Sequence, residues 1–430
     1  MTRINHLILL FFFSFISFPT IAQLTFGTQV RPRAEFRNGF KTLNGDDRSP
    51  AFFIEQRARL FADYDTEKFR VRVNFQDVRI WGSTSQIYKT DPNVVTNVFE
   101  AWGLYRFSNT WSLKIGRMAW DYDNARFLGD LRWAAQSRSH DGMVFRYQSD
   151  NSQFQLDLGA AFNQVGFEPA ILSETFYSGV NNYKTNQFLY LKKGFNDTNL
   201  SLLIHNDGRQ VQADSSLAMR QTYGLTGTGN LGGLAWGGEL FYQGGKNARD
   251  VSVNAFFVSA YLKFKTAATP ITIGIDYLSG TSTTDSEDKS FIPLYGTNHK
   301  FYGYMDYFYV GNPHGQGANI SGLMDVHLKT KFKAGVQGSL VVNTHVFQSA
   351  ADLYNPSDVT ISESKYLGTE VDLVYTLTMT KDVKFNLGYS QMFASESMEL
   401  IKSTGDSNSL NNWIWTMIDF NPSVVVKAFQ

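Results

Sequence analysis

The sequence predicts an all-β protein, a single antiparallel transmembrane β-barrel of about eighteen strands with short periplasmic turns and long extracellular loops. Three observations carry this expectation. Apolar and polar residues alternate with period two from residue 24 nearly to the end of the chain. The connections between alternating segments are short and long in turn. Aromatic residues make up 15% of the chain and charged residues only 18%, where soluble domains carry about 25% charged residues.

Met1–Ala22 has Arg3 in a short positive start, an apolar stretch from Leu7 to Phe18, and Thr20-Ile21-Ala22 with a small residue at the cleavage position. This is the three-part pattern of a secretory signal peptide, and its apolar stretch is short of the ~20 residues a spanning helix needs. Residues 23–430 are then one exported barrel, with no internal repeat, low-complexity tract or linker to divide it. Lysine plus arginine and aspartate plus glutamate number 39 each; without Arg3 the balance is 38 against 39, or −1. Such neutrality argues against a nucleic-acid partner. The absence of cysteine excludes a disulfide scaffold, a cysteine zinc site, an iron–sulfur cluster and a thiol nucleophile. No cofactor is expected.

Strands follow at 24–38, 51–64, 68–81, 94–107, 111–119, 142–149, 153–163, 186–195, 199–206, 219–229, 234–244, 251–266, 270–280, 319–333, 335–348, 365–379, 382–393 and 411–421. A count of sixteen is the alternative. In the first strand Phe26, Val30, Ala34 and Phe36 alternate with Gln29, Arg31, Arg33, Glu35 and Arg37. The turn at 65–68 is short, whereas 120–141, 164–184 and 282–318 are long. A propeller would repeat every ~40–50 residues, and no such repeat is visible. In a barrel the apolar set meets lipid, and Phe36, Trp111, Tyr375, Trp413 and Trp415 near strand ends are assigned to aromatic girdles.

The polar set lines the lumen. Of 19 arginines, 15 lie between Arg31 and Arg146, and lysines dominate the later strands. If the first hairpin is centred near residue 46, Glu35 faces Arg57, Arg37 faces Glu55, and Arg33 faces Arg59 as a like charge. The next turn sets Asp63 opposite Arg70. Opposed charges satisfy one another, so these pairs read as wall. Arg31, Arg33, Arg59 and Arg72, with no acid directly opposite, read instead as an anion-attracting stretch of pore, because a guanidinium fork suits carboxylates and phosphates. Glu100, Asp325, Glu370 and Asp372 supply lumenal acid elsewhere, so modest selectivity is expected.

Four stretches carry a resemblance: Arg31-Pro-Arg-Ala-Glu-Phe-Arg37, Gln76-Asp-Val-Arg-Ile-Trp-Gly82, the block from Gly116 through Asp141, and Gly296-Thr-Asn-His-Lys-Phe-Tyr-Gly-Tyr-Met-Asp306. Through them the chain resembles the alginate export family of outer-membrane barrels. The resemblance implies residence in the cell outer membrane among its lipid, eighteen strands, and an arginine-rich constriction passing an anionic polysaccharide, with periplasmic export partners. It makes Arg31, Arg33, Arg59, Arg117, Arg126 and Arg138 pore or vestibule cations, and Asp121, Asp123 and Asp130 their partners or gate residues. A calcium site is the alternative for the acidic loop cluster, although the spacing is not that of an EF-hand. Alternation puts Lys114 inside and Arg117 outside, so a bulge or strand end is expected near Gly116.

The loop at 282–318 gathers Phe301, Tyr302, Tyr304, Tyr307, Phe308 and Tyr309. They either pack the loop on itself or stack on sugar rings at the mouth. His140 and His299 read as ordinary polar residues. An enzyme is not expected: there is no GxSxG or HExxH, and Ser139-His140 is the one adjacent Ser/His pair. The functional reading is a charged channel passing anionic polysaccharide or small anions. A general diffusion or nutrient-uptake porin is the alternative, and a barrel-wall hydrolase a remote one.

Overall fold

The computed structural model describes residues 22–86, 96–164, 177, 182–211, 214–266, 269–402 and 404–427. The signal-peptide reading of 1–22 and most of the 164–184 loop lie outside these residues. The barrel strands are β1 (Gln23–Asn38), β2 (Ala51–Asp65), β3 (Phe69–Ile80), β4 (Thr96–Arg106), β5 (Trp111–Met118), β6 (His140–Gln148), β7 (Phe154–Phe162), β8 (Thr185–Phe195), β9 (Thr198–Gln210), β10 (Leu217–Leu231), β11 (Leu234–Lys246), β12 (Ser252–Phe264), β13 (Ile271–Leu278), β14 (Leu323–Lys333), β15 (Gly338–Gln348), β16 (Tyr366–Thr380), β17 (Val383–Ala394) and β18 (Asn411–Phe420). Each pairs antiparallel with the next. The last strand resumes at Ser423–Lys427 after Asn421-Pro422, a break that suits a residue with no N–H to give to the ladder. Both segments pair with β1 and close the barrel.

Closure leaves no free edge, and the alternation then decides which side chains meet which medium. Leu60, Ile115, Leu158, Leu225, Leu240, Ile273 and Leu328 are exposed on the outer face. Glu35, Asp157, His205, Gln243, Asp276, Asp325, Glu370 and Asp372 are buried inside. This inverts the layout of a soluble protein and matches a wall that faces hydrocarbon. Phe36 and Trp111 point outward as expected. Trp413 and Trp415 do not: both are buried inside, where Trp413 Nε1 donates to Glu35 Oε2 at 2.9 Å. They are core residues rather than girdle, because the loops filling the barrel need an apolar surface to pack on.

The register of the first hairpin differs from the expected one. Arg33 faces Glu55, Arg31 faces Arg57, and Gln29 faces Arg59. In the next pair Asp63 faces Arg72 and Asp65 faces Arg70. The connection at 39–50 is an irregular loop rather than a symmetric turn, so its middle does not fix the pairing. Both slips are by even steps, so every side chain keeps its predicted face.

Two connections at the long-loop end position the site. Residues 119–139, between β5 and β6, and residues 279–322, between β13 and β14, fold into the barrel and pack on each other. Tyr122 N–H donates to Leu128 O, Gly129 N–H to Tyr295 O and Thr297 N–H to Ala125 O. Gly296 is required here, because a Cβ on it would run into the backbone carbonyl of Arg126. The aromatics of the second loop pack rather than project: Tyr302, Tyr307 and Phe308 are buried.

Candidate functional site in the lumen

The 119–139 loop crosses the lumen and is held at both ends by arginines. At one end it lies against β1–β3. Arg31 donates to the carbonyl oxygens of Arg132 (2.7 Å) and Trp133 (2.8 Å). Arg33 reaches Trp133 O at 3.0 Å and lies over the Trp133 ring at 4.3 Å, while its other nitrogens bind Glu35 and Glu55. Arg57 donates to Arg132 O, Ala134 O and Ser137 Oγ, and Arg59 to Ser137 Oγ and Gln76 Oε1. Arg31 and Arg57 face each other as like charges with the loop's carbonyls between them. A carbonyl oxygen is a partial negative charge, and a hydrogen bond from a charged donor contributes about 1.5–3 kcal/mol. The expected mutual repulsion is therefore offset by backbone, with no bound anion needed.

At the other end Arg126 crosses to the opposite wall. Its guanidinium binds Glu239 on β11 at 2.9 Å and Asp276 on β13 at 2.9 Å, donates to Tyr302 Oη at 3.0 Å, and stacks on Phe301 at 3.6 Å. All of these groups are buried. Asp123 accepts from Tyr190 Oη and Ser201 Oγ at 2.7 Å each, and Tyr122 Oη donates to Asp157 on β7 at 2.7 Å. The loop backbone is not relaxed: Asp123, Ala125, Leu131 and Ser137 all have positive φ between 52° and 67°. Non-glycine residues in that region cost of order 1–3 kcal/mol each, so the arginine contacts hold a conformation the free loop would leave.

The remaining expected site residues divide by location. Arg72 is fully paired, to Asp63 at 2.9 Å and Glu100 at 3.0 Å. Arg138 lies between the two loops, donating to Gly296 O at 3.2 Å, and burial lowers its pKa. Asp130 pairs with Arg132. Asp121 is exposed and makes no hydrogen bond to a described residue. Arg117 is not in the lumen. It sits on the outer face at the end of β5, paired with Asp141 at 2.6 Å. Gly116 next to it takes φ +123°, but pairing runs through Gly116 and Arg117 on both sides without a register shift, and the strand ends at Met118. Ser139 and His140 do not engage each other: Ser139 Oγ donates to Phe99 O, and His140 Nδ1 bonds Tyr183 Oη at 2.7 Å. His299 is likewise engaged, by Asp306 at 2.8 Å and by stacking on Trp133.

Below the loops, toward the short-turn end, a cavity of about 380 Å³ opens between Arg126 and β8–β14. Arg126, Lys192, Lys300 and Lys329 line it, against Asp123, Glu239 and Asp276. Four cations less three carboxylates leaves +1. The carboxylates are taken up by Arg126, Tyr190 and Ser201, whereas Lys192 and Lys329 form no ion pair among the described residues. Lys300 donates to Asn124 O and forms no ion pair among the described residues. Lys192, Lys300 and Lys329 were not singled out from sequence. In β14 Lys329 shares its strand parity with Asp325 and His327, but nothing local in the sequence distinguished it or Lys192 from other lysines.

The family model for alginate export matches residues 22–409. No curated protein matches the sequence. Solved structures similar in fold include the outer membrane protein OpdK from Pseudomonas aeruginosa, at 13% identity and TM-score 0.62, covering 93% of this chain and 99% of that one. The same protein solved with vanillate is 12% identical over 93% of this chain and 99% of that one, with TM-score 0.59. OprD from Pseudomonas aeruginosa is 11% identical, with TM-score 0.60, covering 93% and 94%. At such identities the likeness is one of fold. A closed barrel with an inverted surface and inward loops, matched by the family model over most of its length, is an outer-membrane channel, and the chain belongs to the alginate export family.

Proposed function

We propose that this outer-membrane channel carries anionic solutes, acidic polysaccharide among them, through a lumen narrowed by its own loops. The lysine-lined cavity carries the reading. Lys192 and Lys329 form no ion pair among the described residues while the carboxylates are engaged, so an entering anion meets a favourable field without having to break an ion pair. Neutralised walls elsewhere keep the preference modest. The family match supports an acidic polymer as cargo. Passage of a polymer chain requires the 119–139 loop to leave its seat, whereas small anions need only the space beside it. The similarity to OpdK, which has been solved with vanillate, supports small organic carboxylates as a second class of cargo. A wide, non-selective pore fits less well, because the two inward loops occupy the barrel interior. No catalytic role is proposed, since Ser139 and His140 are committed to other partners.

Single-channel recording with purified protein in planar bilayers tests the reading. Oligouronates on the short-turn side should block current in a charge-dependent way, and neutral oligosaccharides of equal length should not. Equal block by both would overturn it.

A further inference from the structure

Several buried side chains among the described residues have unmet bonding capacity, and one group of them gathers residue types that ligate metals. Asp325 and His327 project into the lumen from β14, directly after the 279–322 loop, and His345 projects from β15. His327 and His345 are direct cross-strand partners. Asp325 Oδ2 lies 2.8 Å from His345 Nδ1 and 3.7 Å from His327 Nδ1. One nitrogen of each ring has no partner among the described residues: Nδ1 of His327 and Nε2 of His345. His345 Nε2 points toward Asp372 Oδ2 at 4.0 Å, an oxygen that is also unpaired.

We propose that Asp325, His327 and His345 bind a divalent transition-metal ion at the foot of the inward loop. Ligand atoms about 2.1 Å from one ion stand roughly 3.0–3.5 Å apart; the two Nδ1–Oδ2 spacings of 2.8 and 3.7 Å bracket that range, and one potential ligand atom from each residue lies within 4.8 Å of the others. Two imidazoles and one carboxylate suit a borderline ion such as zinc, nickel or copper rather than calcium. Asp372 then takes the place of the carboxylate that receives the far N–H of a ligating histidine. Charge points the same way. Asp325, Glu370 and Asp372 are all fully buried, and no lysine or arginine among the described residues lies within ion-pair distance of any of them. Met305 N–H and Ser390 Oγ satisfy one oxygen each of Glu370 and Asp372, leaving Glu370 Oε2 and Asp372 Oδ2 unpaired. A dication offsets this excess of buried negative charge, which would otherwise be costly. Space has been kept for the ring of His327, because a Cβ on Gly274 would collide with it. The ion would tie β14 to β15 where the loop re-enters the wall, fixing the root of that loop.

The test uses the full barrel purified without a polyhistidine tag, stripped with chelator, and checked for folding by heat-modifiable gel migration. Zinc calorimetry should give one ion per chain. Cobalt substitution should give visible absorption bands with nitrogen and oxygen ligation. His327→Gln with His345→Gln should weaken zinc binding by about a hundredfold, and Asp372→Asn by about tenfold. Absence of zinc binding, unchanged affinity in the double variant, or calcium binding as tight as zinc would each overturn the proposal. Should the double variant fail to fold, X-ray absorption of the zinc-loaded wild-type protein decides: a shell with two imidazoles sustains the site, and an all-oxygen shell removes it.

Discussion

The wall of β1–β3 and the wall of β8–β14 are both basic, yet their cations do different work. On the first wall Arg31, Arg33, Arg57 and Arg59 are spent on loop carbonyls, glutamates and glutamine amides. On the second, Lys192 and Lys329 face a cavity and form no ion pair among the described residues. The chemistry of the two side chains accounts for the difference. A guanidinium presents five N–H groups in a rigid fork and can hold several carbonyls at once, whereas an ammonium is a compact charge on a flexible stem. On the proposed reading, arginine seats the loop across the lumen and lysine sets the field beside it.

Substitutions that unseat the loop should have the largest effect. Arg126→Gln leaves Glu239 and Asp276 buried without a counter-charge, a loss of about 3–5 kcal/mol. Proteolytic cleavage within 119–139 should become rapid in the folded barrel, and unitary conductance should rise. Replacing Arg31 and Arg57 together by Gln should act in the same direction but less strongly, at about 2 kcal/mol for each arginine's lost hydrogen bonds. Relief of their mutual repulsion offsets part of that loss. Gly296→Ala forces a Cβ against the Arg126 carbonyl and should loosen the two-loop contact by about 1–3 kcal/mol. Cleavage should then be intermediate between wild type and Arg126→Gln. Lys192→Gln with Lys329→Gln should leave cleavage and stability nearly unchanged while reducing anion preference. Loss of the loop's protection in this last variant would erase the distinction between the two walls.

Strand number and strand faces were legible in the sequence, because period-two alternation and the short–long sequence of connections are both local signals. Register was not. The 39–50 loop has no symmetric turn to fix its centre, and a four-residue slip keeps every face the same, so Arg33 met Glu55 instead of Arg59. Trp413 and Trp415 carry the residue type of a girdle but the parity of the lumen, and parity was the better guide. The arginines of 31–59 were recognised as a set, but their role was not. Their partners are backbone carbonyls of a loop about a hundred residues away, and a carbonyl leaves no trace in residue type. The lysines of the cavity were missed for a related reason: what marks them is the absence of a partner, which only the fold reveals.

Reversal potential across a salt gradient, recorded for wild type and the two paired variants, tests the division most directly. Wild type should be modestly anion-preferring. Lys192→Gln with Lys329→Gln should move the potential toward the cation side at unchanged conductance. Arg31→Gln with Arg57→Gln should raise conductance and keep the sign. Loss of anion preference in the arginine variant, with none in the lysine variant, would contradict the account.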